Sequence, residues 1–539
     1  MRRNTWLASS KSILLLLSAG GLSYAGDLAA FTAASVYAYH AGGAGLVALL
    51  GLLKALPGVF LVPLISSQSD RVRRERLLLA TVVLRALLLA AAVAAMTGGG
   101  LGLVVVVLVG LESSLTYAFR QLQVSLLPWL ARTPDELTSA NTASSVLMAA
   151  AWVVGPAIAA GLLAVSTAQS AMIASCAIVA IAAMLLIGVR PLAFRAPARG
   201  TGGLTQLRRD LVAGFNAGIR QRDALAVFVP AAAQQFGSGV INVLTVVIAV
   251  DLFRLGSAGV GSLTAVLGAA GVLVAPLAVT LVRGQRVARS FAVGVAGWGA
   301  PMIVLAFVHA RYWPFLMFGM IGVANVFEDA GEYSSIRQVI PSRLMGSALG
   351  VRKGALLLVT GLGAAVTPLL IDAWGARGTL LATGLLLVVL AAASLPGLTA
   401  IDGKITVPGP DLALLRRVSF FRPLPVAIVE HLARELQTAT YEPGEVIIRE
   451  GEPGERFYII AEGQAGAAKE GQQLSEMDAG DSFGEIALLR RIPRTATVTA
   501  LSRVETRILA REEFLAAVTG SPESADSAEE VVATRLQAG

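Results

Sequence analysis

The sequence predicts an all-α membrane protein with twelve transmembrane helices in two six-helix halves, followed by a cytoplasmic α+β domain built as a β-roll flanked by helices. Three observations lead to this prediction. The 539 residues are 55% hydrophobic and only 14% charged, which is too apolar for an average soluble protein. The apolar residues form long runs before about residue 400. Beyond that point, charged residues return and short segments separated by turn residues replace the runs.

Twelve segments are long and apolar enough to cross a bilayer, whose hydrocarbon core of about 30 Å needs about 20 apolar residues per helix. The first six segments are residues 13–39, 44–66, 77–97, 101–127, 137–165 and 168–189. The second six are residues 224–250, 258–282, 290–309, 312–338, 345–371 and 377–398. We therefore predict a six-helix half, an inter-half loop, a second half, a linker and a C-terminal domain, bounded as 1–189, 190–223, 224–398, 399–410 and 411–539.

Arginine and lysine are concentrated in alternate loops. They crowd residues 71–76 and 190–223, whereas the loops on the other side hold little beyond Arg254, Arg311 and Arg377. The positive-inside rule places the basic loops in the cytoplasm. Because the number of spans is even, both termini are then expected in the cytoplasm, in a multi-pass protein of the cell (inner or plasma) membrane. The first apolar run is longer than the core of a signal peptide, so we expect it to be retained.

The composition argues against several functional classes. The net charge of +8 does not indicate nucleic-acid binding, because the basic residues lie in short loops between apolar segments. One cysteine, Cys176, cannot form an intrachain disulfide or a cysteine-based zinc site. The sequence shows no Walker loop, no paired metal ligands and no nucleophile elbow. We therefore expect no enzyme activity, no resident metal or cofactor and no nucleic-acid partner.

Charged residues inside the apolar runs need an explanation, because a charge at bilayer depth is costly. They are either internal ion pairs that hold helices together or groups that line a water-filled cavity and carry protons. At 1.5 Å per residue, Asp27 lies about 20 Å into the first span, and three further charged residues lie roughly 12–16 Å into the next spans. The cavity and proton-coupling candidates are Asp27, Lys54, Glu112, Asn242, Glu328, Asp329 and Glu332. Arg85 is better explained as structural.

Four stretches resemble the major facilitator superfamily over about residues 5–398. "SDRVRRER" (69–76) is similar to the loop signature between spans two and three, although Arg73 replaces a usual glycine. "GPAIAAG" (155–161) is similar to the Gly-Pro element of antiporters. "LSYAGDLAAF" (22–31) and "SLLPWLARTPDELTSANT" (125–142) resemble the macrolide- and siderophore-exporter branch.

This resemblance implies a secondary transporter that exports an amphipathic small molecule and exchanges it for protons. Spans one, four, seven and ten would line the cavity, so that Asp27, Glu112 and Glu328 would face it. Asp70, Arg71 and Arg74 would form a gate in the cytoplasmic loop. Some proteins of this shape move lysophospholipids, so a lipid flippase is an alternative.

The C-terminal segment has the pattern of a small mixed domain. Residues 411–436 alternate apolar and charged residues at helical spacing. Short apolar segments separated by Pro-Gly and Gly turns follow, which is typical of strands. "REEFLAAV" and residues 523–537 predict further helices.

The stretch "FGEIALLRRIPRTATV" (483–498) carries specific chemistry. Gly484 lets the backbone approach a ligand, and the turn that follows offers free N–H groups to an anion. Arg494 supplies a forked cation suited to phosphate, and Thr495 supplies a hydroxyl. Glu485 is an acid close to the expected phosphate. Its carboxylate would therefore have to accept a hydrogen bond from another group, such as a ribose hydroxyl.

This arrangement resembles the phosphate-binding cassette of cyclic nucleotide-binding domains, with the family pattern Phe-Gly-Glu followed by Arg, a small or hydroxyl residue and Ala. The resemblance implies that Glu485 holds the ribose 2′-hydroxyl and that Arg494, Thr495 and the amides around Ala487 hold the cyclic phosphate. The implied pocket residues are Phe483, Gly484, Glu485, Ile486, Ala487, Arg494, Thr495 and Ala496. The regulatory ligand would be cAMP or cGMP.

We therefore expect a secondary active transporter regulated by a cytoplasmic cyclic nucleotide. The expected partners are membrane lipid, a small-molecule substrate and the nucleotide, and the oligomeric state is open, with a dimer as one alternative. The rival functions are a transporter whose C-terminal domain is only structural or dimerising, the lipid flippase, and a membrane-anchored nucleotide sensor that transports nothing.

Overall fold

The computed structural model describes residues 2–68, 74–98, 102–131, 133–189, 222–281, 287–339, 345–404, 409–424, 426–520 and 522–538. These residues belong to two compact units, Met1–Lys404 and Ile405–Gly539. The first unit is helical and the second contains the β-sheets. The prediction of a mostly helical N-terminal region followed by a smaller β-sheet domain is thus confirmed.

The described residues of the first unit form ten long helices. They are α1 (Arg2–Gln68), α2 (Arg74–Thr97), α3 (Gly102–Leu130), α4 (Pro134–Val165), α5 (Ala168–Ile187), α6 (Arg222–Val247), α7 (Ser257–Leu281), α8 (Val287–Phe307), α9 (Trp313–Val339) and α10 (Met345–Lys404). A short π-helical turn, Ile248–Leu252, extends α6.

Glycines divide the two longest helices. Inside α1, Gly43 has a φ of 65°, and inside α10, Gly375 has a φ of 69°. Positive φ is favourable only for glycine, so each break follows from the local sequence. Each of these helices therefore consists of two consecutive segments, at the positions where the sequence predicts two spans. The helix α10 continues to Lys404, beyond the predicted end of the last span.

By length and composition, nine helices in the described part of the chain are long and apolar enough to cross a membrane. Helix α9 is not among them. The described residues of α9 include Asn325, Glu328 and Asp329, three polar groups that interrupt its apolar sequence.

The first five helices, α1–α5, and the second five, α6–α10, contact each other at glycines. Helix α7 packs on α4, where a Cβ at Gly261 would lie 2.5 Å from the carbonyl oxygen of Pro156. About two turns further along α7, a Cβ at Gly268 would lie 2.6 Å from the carbonyl oxygen of Trp152. Larger residues would force the helices apart, so this close contact between the halves depends on both glycines.

Five helices and eight strands lie in the described part of the second unit. The helices are α11 (Gly409–Arg417), α12 (Val426–Glu435), α13 (Glu485–Arg490), α14 (Arg511–Thr519) and α15 (Pro522–Ala538), with a 3-10 turn at Ser419–Phe421. The strands are β1 (Gln437–Tyr441), β2 (Val446–Ile448), β3 (Arg456–Glu462), β4 (Ala465–Lys469), β5 (Gln472–Met477), β6 (Ser482–Phe483), β7 (Thr497–Ala500) and β8 (Val504–Ala510).

The strands form two antiparallel four-stranded sheets, in the orders β1-β8-β3-β6 and β2-β7-β4-β5. Apolar side chains from both sheets make one core, to which Ile460, Ala465 and Val504 belong. A second core joins the helices to β3, where the rings of Phe457 and Phe514 stack at 4.6 Å. Because β6 leads directly into α13, this β-roll positions the stretch that begins at Phe483.

Candidate functional site

Gly484 connects β6 to α13 and has a φ of 91°. A Cβ at this position would lie 2.5 Å from Nη1 of Arg494 and 3.1 Å from the carbonyl oxygen of Arg456. Both the backbone conformation and the lack of space therefore require glycine. Helix α13 begins here without a side-chain cap, so its first amides are not satisfied by a capping side chain.

Arg494 lies in the same place and is 5% exposed. Its Nη1 donates to the carbonyl oxygen of Gly484 over 2.9 Å, and its Nη2 donates to that of Arg456 over 2.7 Å. A guanidinium has five N–H donors, so these two bonds orient the group and leave three donors for a ligand. Burial lowers the pKa of Arg494, while Tyr458, Glu485 and Glu452 oppose that effect. Arginine nevertheless stays charged at neutral pH and can bind an anion.

Glu485 is the buried acid of the site, with 1% of its surface exposed. Its Oε1 accepts from Nη1 of Arg535, in α15, over 2.7 Å. Its Oε2 is buried and has no hydrogen-bond partner among the residues that the structure describes. An unsatisfied buried carboxylate oxygen is costly, so this atom indicates a hydrogen-bond donor that a ligand supplies.

The loop before β3 closes on the other side of this site. A Cβ at Gly454 would lie 2.6 Å from the Cβ of Ala487 and 3.4 Å from the Cζ of Arg494. Arg511 donates to the carbonyl oxygen of Gly454 over 3.0 Å and so holds the loop in place. At position 454 there is therefore room for backbone beside Ala487 and Arg494 but not for a side chain.

The structure thus brings Gly484, Glu485, Ala487 and Arg494 together. Phe483 is placed differently: it is 3% exposed and its ring stacks on Tyr458 at 5.0 Å, inside the sheet core. The remaining pocket candidates are partly buried. They are Ile486, Thr495 and Ala496.

The sequence analysis did not single out Arg535, although it predicts a helix over residues 523–537. The buried positions of this helix, Ser524, Ala528 and Val532, follow each other at four-residue intervals. That pattern shows which face is covered. It does not show that the last arginine reaches Glu485, which lies 50 positions away in the chain.

In the helical unit, Glu112 is fully paired. Arg85 reaches Oε1 of Glu112 with Nη2 at 2.7 Å and with Nε at 2.9 Å, and both side chains are fully buried. Arg85 also donates to the carbonyl oxygen of Ser23 over 3.2 Å and to its hydroxyl. Such complete pairing favours the structural explanation for Glu112 over a role in carrying protons.

Asp27 is held less firmly. Its Oδ2 lies 3.5 Å from Nζ of Lys54, whose ammonium also lies 4.1 Å from the ring centre of Phe31. The other oxygen, Oδ1, is buried and unpartnered in the described part of the chain. Of the two acids, Asp27 is therefore the one with an oxygen available to a proton or a ligand.

The acids of α9 lie close together, with carboxylate oxygens of Glu328, Asp329 and Glu332 all within 4.8 Å of one another. Asn325 donates to Asp329 over 3.0 Å, and Arg352 of α10 pairs with Glu332. Oε1 of Glu328 is buried and has no partner among the described residues. Three oxygens at this spacing are also close enough to hold a cation.

Two other predictions concern Asn242 and the loop gate. Asn242 of α6 is exposed. Asp70 and Arg71 of the predicted loop gate lie outside the described residues. Arg74 donates to the carbonyl oxygen of Ser125 over 2.9 Å and lies over the ring of Trp129, so it contacts α3.

Residues 438–520 match the family model described as the cyclic nucleotide-binding domain. The regulatory subunit of a cAMP-dependent protein kinase from Dictyostelium discoideum is 39% identical over 108 residues, which is 19% of this chain and 33% of that protein. A cGMP-dependent protein kinase of Caenorhabditis briggsae is 42% identical over 84 residues, which is 15% of this chain and 11% of that protein.

A protein named as a potassium channel in Rhodopseudomonas palustris is 34% identical over 127 residues, which is 23% of this chain and 31% of that protein. The chain thus spans a third or less of the length of these three relatives. The family match falls within the second unit, which contains a cyclic nucleotide-binding domain of the regulatory kind.

Proposed function

We propose that this chain, whose C-terminal unit is a cyclic nucleotide-binding domain, is a secondary active transporter that a cyclic nucleotide regulates. One observation carries the proposal: charged side chains lie in mid-helix in both groups of helices of an otherwise apolar unit, as with Asp27 in α1 and Glu328 in α9. A passive anchor would gain nothing from buried charges, because each one is costly in lipid.

The proposed transporter has twelve spans in a cell membrane and both termini in the cytoplasm. Its two halves rock against each other around a central cavity, in the manner of carriers built from two repeats. Close contact between α4 and α7, through Gly261 and Gly268, supplies a packed surface about which the halves would rock. The substrate is an amphipathic small molecule that leaves the cell in exchange for protons, and Asp27 is the candidate proton carrier.

The proposed nucleotide site uses the groups that are available in the second unit. The three remaining N–H donors of Arg494 and the first amides of α13 hold the cyclic phosphate, since a guanidinium is suited to phosphate. Oε2 of Glu485 accepts from the ribose 2′-hydroxyl, and this bond satisfies its unpartnered oxygen. Thr495 adds a hydroxyl near the phosphate. Relatives named for cAMP and for cGMP both match, so either base is compatible with this site.

Regulation requires that the nucleotide bind with different affinity to the two transport conformations. A nucleotide that breaks or strengthens the contact between α15 and Glu485 changes the free energy of the second unit. If that change differs between the conformations, the nucleotide shifts their populations. Transport and nucleotide binding are then linked in both directions.

The test is transport by the purified full-length protein in proteoliposomes, with and without cAMP or cGMP. Arg494→Ala removes the phosphate ligand, and we expect it to abolish the nucleotide response while basal transport remains. Arg490→Ala is the matched control, because Arg490 is an arginine that pairs with Glu529 at the surface. A nucleotide response of Arg494→Ala equal to that of the wild type contradicts the proposal.

The rival functions give different results in the same preparation. A structural or dimerising domain binds no nucleotide in calorimetry. A nucleotide sensor binds it but moves none of the probes, namely a macrolide, a ferric siderophore and lysophosphatidylcholine. A flippase moves only the last of these.

A further inference from the structure

The ammonium of Lys54 lies against two side chains of the first segment of α1, which precedes Gly43. Its Nζ is 3.5 Å from Oδ2 of Asp27 and 4.1 Å from the ring centre of Phe31. Asp27 and Phe31 are four positions apart in one helix, so their side chains lie on the same face. A carboxylate beside an aromatic ring is a combination that attracts organic cations. The first segment of α1 thus carries an ammonium site, and a lysine of the second segment occupies it.

The contact between Lys54 and Asp27 is looser than the ion pair of Arg85 and Glu112. A charge-assisted hydrogen bond to a carboxylate is about 2.7–2.9 Å long. The Arg85–Glu112 pair has this length, at 2.7 Å, whereas Lys54 lies 3.5 Å from Asp27. The Lys54 side chain is 19% exposed, and Oδ1 of Asp27 is buried and has no partner among the described residues. Lys54 therefore engages one carboxylate oxygen weakly, and a cation that reaches both oxygens would bind more tightly.

A lysine is suited to occupying such a site temporarily. Its charge lies at the end of a flexible four-carbon stem, so the ammonium can leave while the helix backbone stays in place. The carboxylate of Asp27 needs a cation at all times, because an unpaired buried charge is costly. Lys54 supplies that cation when no ligand is bound. A ligand that displaces Lys54 must therefore be positively charged itself.

The position of Lys54 links this site to the contact between the two groups of helices. Gly51 and Gly58 lie three positions before and four positions after Lys54, on the same face of the second segment. A Cβ at Gly51 would lie 2.9 Å from the Cβ of Ala364 in α10. A Cβ at Gly58 would lie 3.6 Å from Cδ1 of Leu357, also in α10. Lys54 thus lies between two close contacts of α1 with α10, so relative movement of the two groups changes its surroundings.

We infer that Asp27 and Phe31 form a binding site for the ammonium group of a cationic amphipathic substrate, and that Lys54 occupies this site until the substrate displaces it. This inference rests on the proposed transport function and names its substrate class. The ammonium group of the substrate pairs with the carboxylate of Asp27 and lies over the ring of Phe31. The apolar part of the substrate lies among the apolar helices.

A single carboxylate then accounts for exchange of the substrate for protons. Asp27 is neutralised by one cation at a time, which is the ammonium of Lys54, the substrate or a proton. A proton from the aqueous phase that binds Asp27 removes the charge that holds the substrate, so the substrate leaves. Release of that proton on the other side restores the charge, and Lys54 or a new substrate molecule pairs with it again.

The test measures binding to the purified full-length protein in nanodiscs by calorimetry. The probes are tetraphenylphosphonium and tetraphenylborate, which have the same shape and opposite charge, and dibenzyldimethylammonium as the ammonium. We expect both cations to bind and the anion not to bind. Asp27→Asn should weaken cation binding by about tenfold or more, because it removes the paired charge. Phe31→Leu should weaken it by about threefold or more, because it removes the ring.

Lys54→Met distinguishes a lysine that fills the site from one that builds it. If Lys54 only fills the site, this variant still binds both cations. A proton then replaces the lysine as the partner of Asp27, so cation binding should release a proton, whereas binding to the wild type should release none. Calorimetry in buffers of different ionisation enthalpy measures this release. Loss of cation binding in Lys54→Met would overturn the inference.

Two substitutions in the same helical unit are matched controls. Asp372→Asn removes an exposed carboxylate of α10, and Phe307→Leu removes an exposed ring at the end of α8. Both variants should bind the cations as the wild type does. Asp27→Glu keeps the charge and should retain part of the affinity, which separates loss of charge from loss of folding.

Equal affinity of the wild type and Asp27→Asn for the cations would overturn the inference, as would tighter binding of tetraphenylborate than of tetraphenylphosphonium by the wild type. These results are distinct from failure of the proposed function. Cation binding that requires Asp27, in a protein that transports nothing in proteoliposomes, contradicts the transporter and leaves the site. Proton-driven transport by a protein that binds neither cation contradicts the site alone.

Discussion

Arg535 donates a hydrogen bond to Oε1 of Glu485 across 2.7 Å, and this contact ties the last helix of the second unit to the acid of its nucleotide pocket. The carboxylate is almost fully buried, whereas the arginine side chain is 35% exposed. Arg535 therefore holds one oxygen of Glu485 in a fixed direction, and the other oxygen, which has no partner among the described residues, is available to a ligand.

Replacing Arg535 should weaken nucleotide binding. In Arg535→Gln the buried carboxylate loses its charged partner and its fixed orientation. We expect the affinity for cAMP or cGMP to fall about three- to tenfold, a modest loss because the arginine is partly solvated. Calorimetry on the full-length protein measures it, with Arg490→Gln as the control, because Arg490 pairs at the surface with Glu529 of α15. Unchanged affinity would show that this contact has no part in the pocket.

Glu485 should be the group that recognises the ribose. A hydrogen bond to a charged acceptor contributes about 1.5–3 kcal/mol, so the wild type should bind cAMP at least about tenfold more tightly than 2′-deoxy-cAMP. In Glu485→Ala this preference should disappear, because the acceptor of the 2′-hydroxyl is gone. Competition binding with both nucleotides gives the two ratios. A preference that survives the substitution would assign the 2′-hydroxyl to another residue.

Gly484→Ala should disrupt the pocket through the backbone. The new Cβ meets Arg494 at 2.5 Å, in a conformation with φ 91° that L-residues rarely adopt. Strain of this kind costs about 1–3 kcal/mol. We expect loss of nucleotide binding and a lower unfolding temperature of the second unit. Gly466→Ala in β4 is the control, since its nearest contact is a flexible side chain at 3.4 Å. If both variants behave alike, the strain argument is wrong.

The buried pair in the helical unit should control stability. Breaking a buried ion pair costs about 3–5 kcal/mol, because the remaining charge is unpaired in an apolar interior. Arg85→Met and Glu112→Gln should each lower the thermal stability strongly, and the double variant should recover part of it. Thermal unfolding in detergent measures this. Additive losses in the double variant would contradict direct pairing.

Asp27→Asn should behave in the opposite way. Its pair with Lys54 is long, at 3.5 Å, so little stability depends on it. We expect near wild-type thermal stability and a loss of proton-driven transport, measured in proteoliposomes with an imposed pH gradient. Lys54→Met serves as the matched substitution at the other end of the pair. Proton-coupled transport by Asp27→Asn at the wild-type rate would exclude Asp27 as the proton carrier.

Features with local causes follow from the sequence alone. Helix positions follow from apolar runs, and the breaks in α1 and α10 occur at glycines that accept positive φ. Gly484 followed by Arg494 predicts a phosphate pocket, because glycine lets the backbone approach a ligand and arginine is suited to phosphate. These features depend on residues close together in the chain.

The partners of the charges were decided by the tertiary structure. In the sequence, Asp27 and Glu112 are equivalent acids inside apolar runs. Only the packing of α2 on α3 places Arg85 against Glu112, whereas an oxygen of Asp27 has no partner in the described part of the chain. Arg535 likewise reaches Glu485 across 50 positions of the chain. No local periodicity encodes such contacts, because a charge pair depends on distances of a few ångströms that only the packed helices and sheets set.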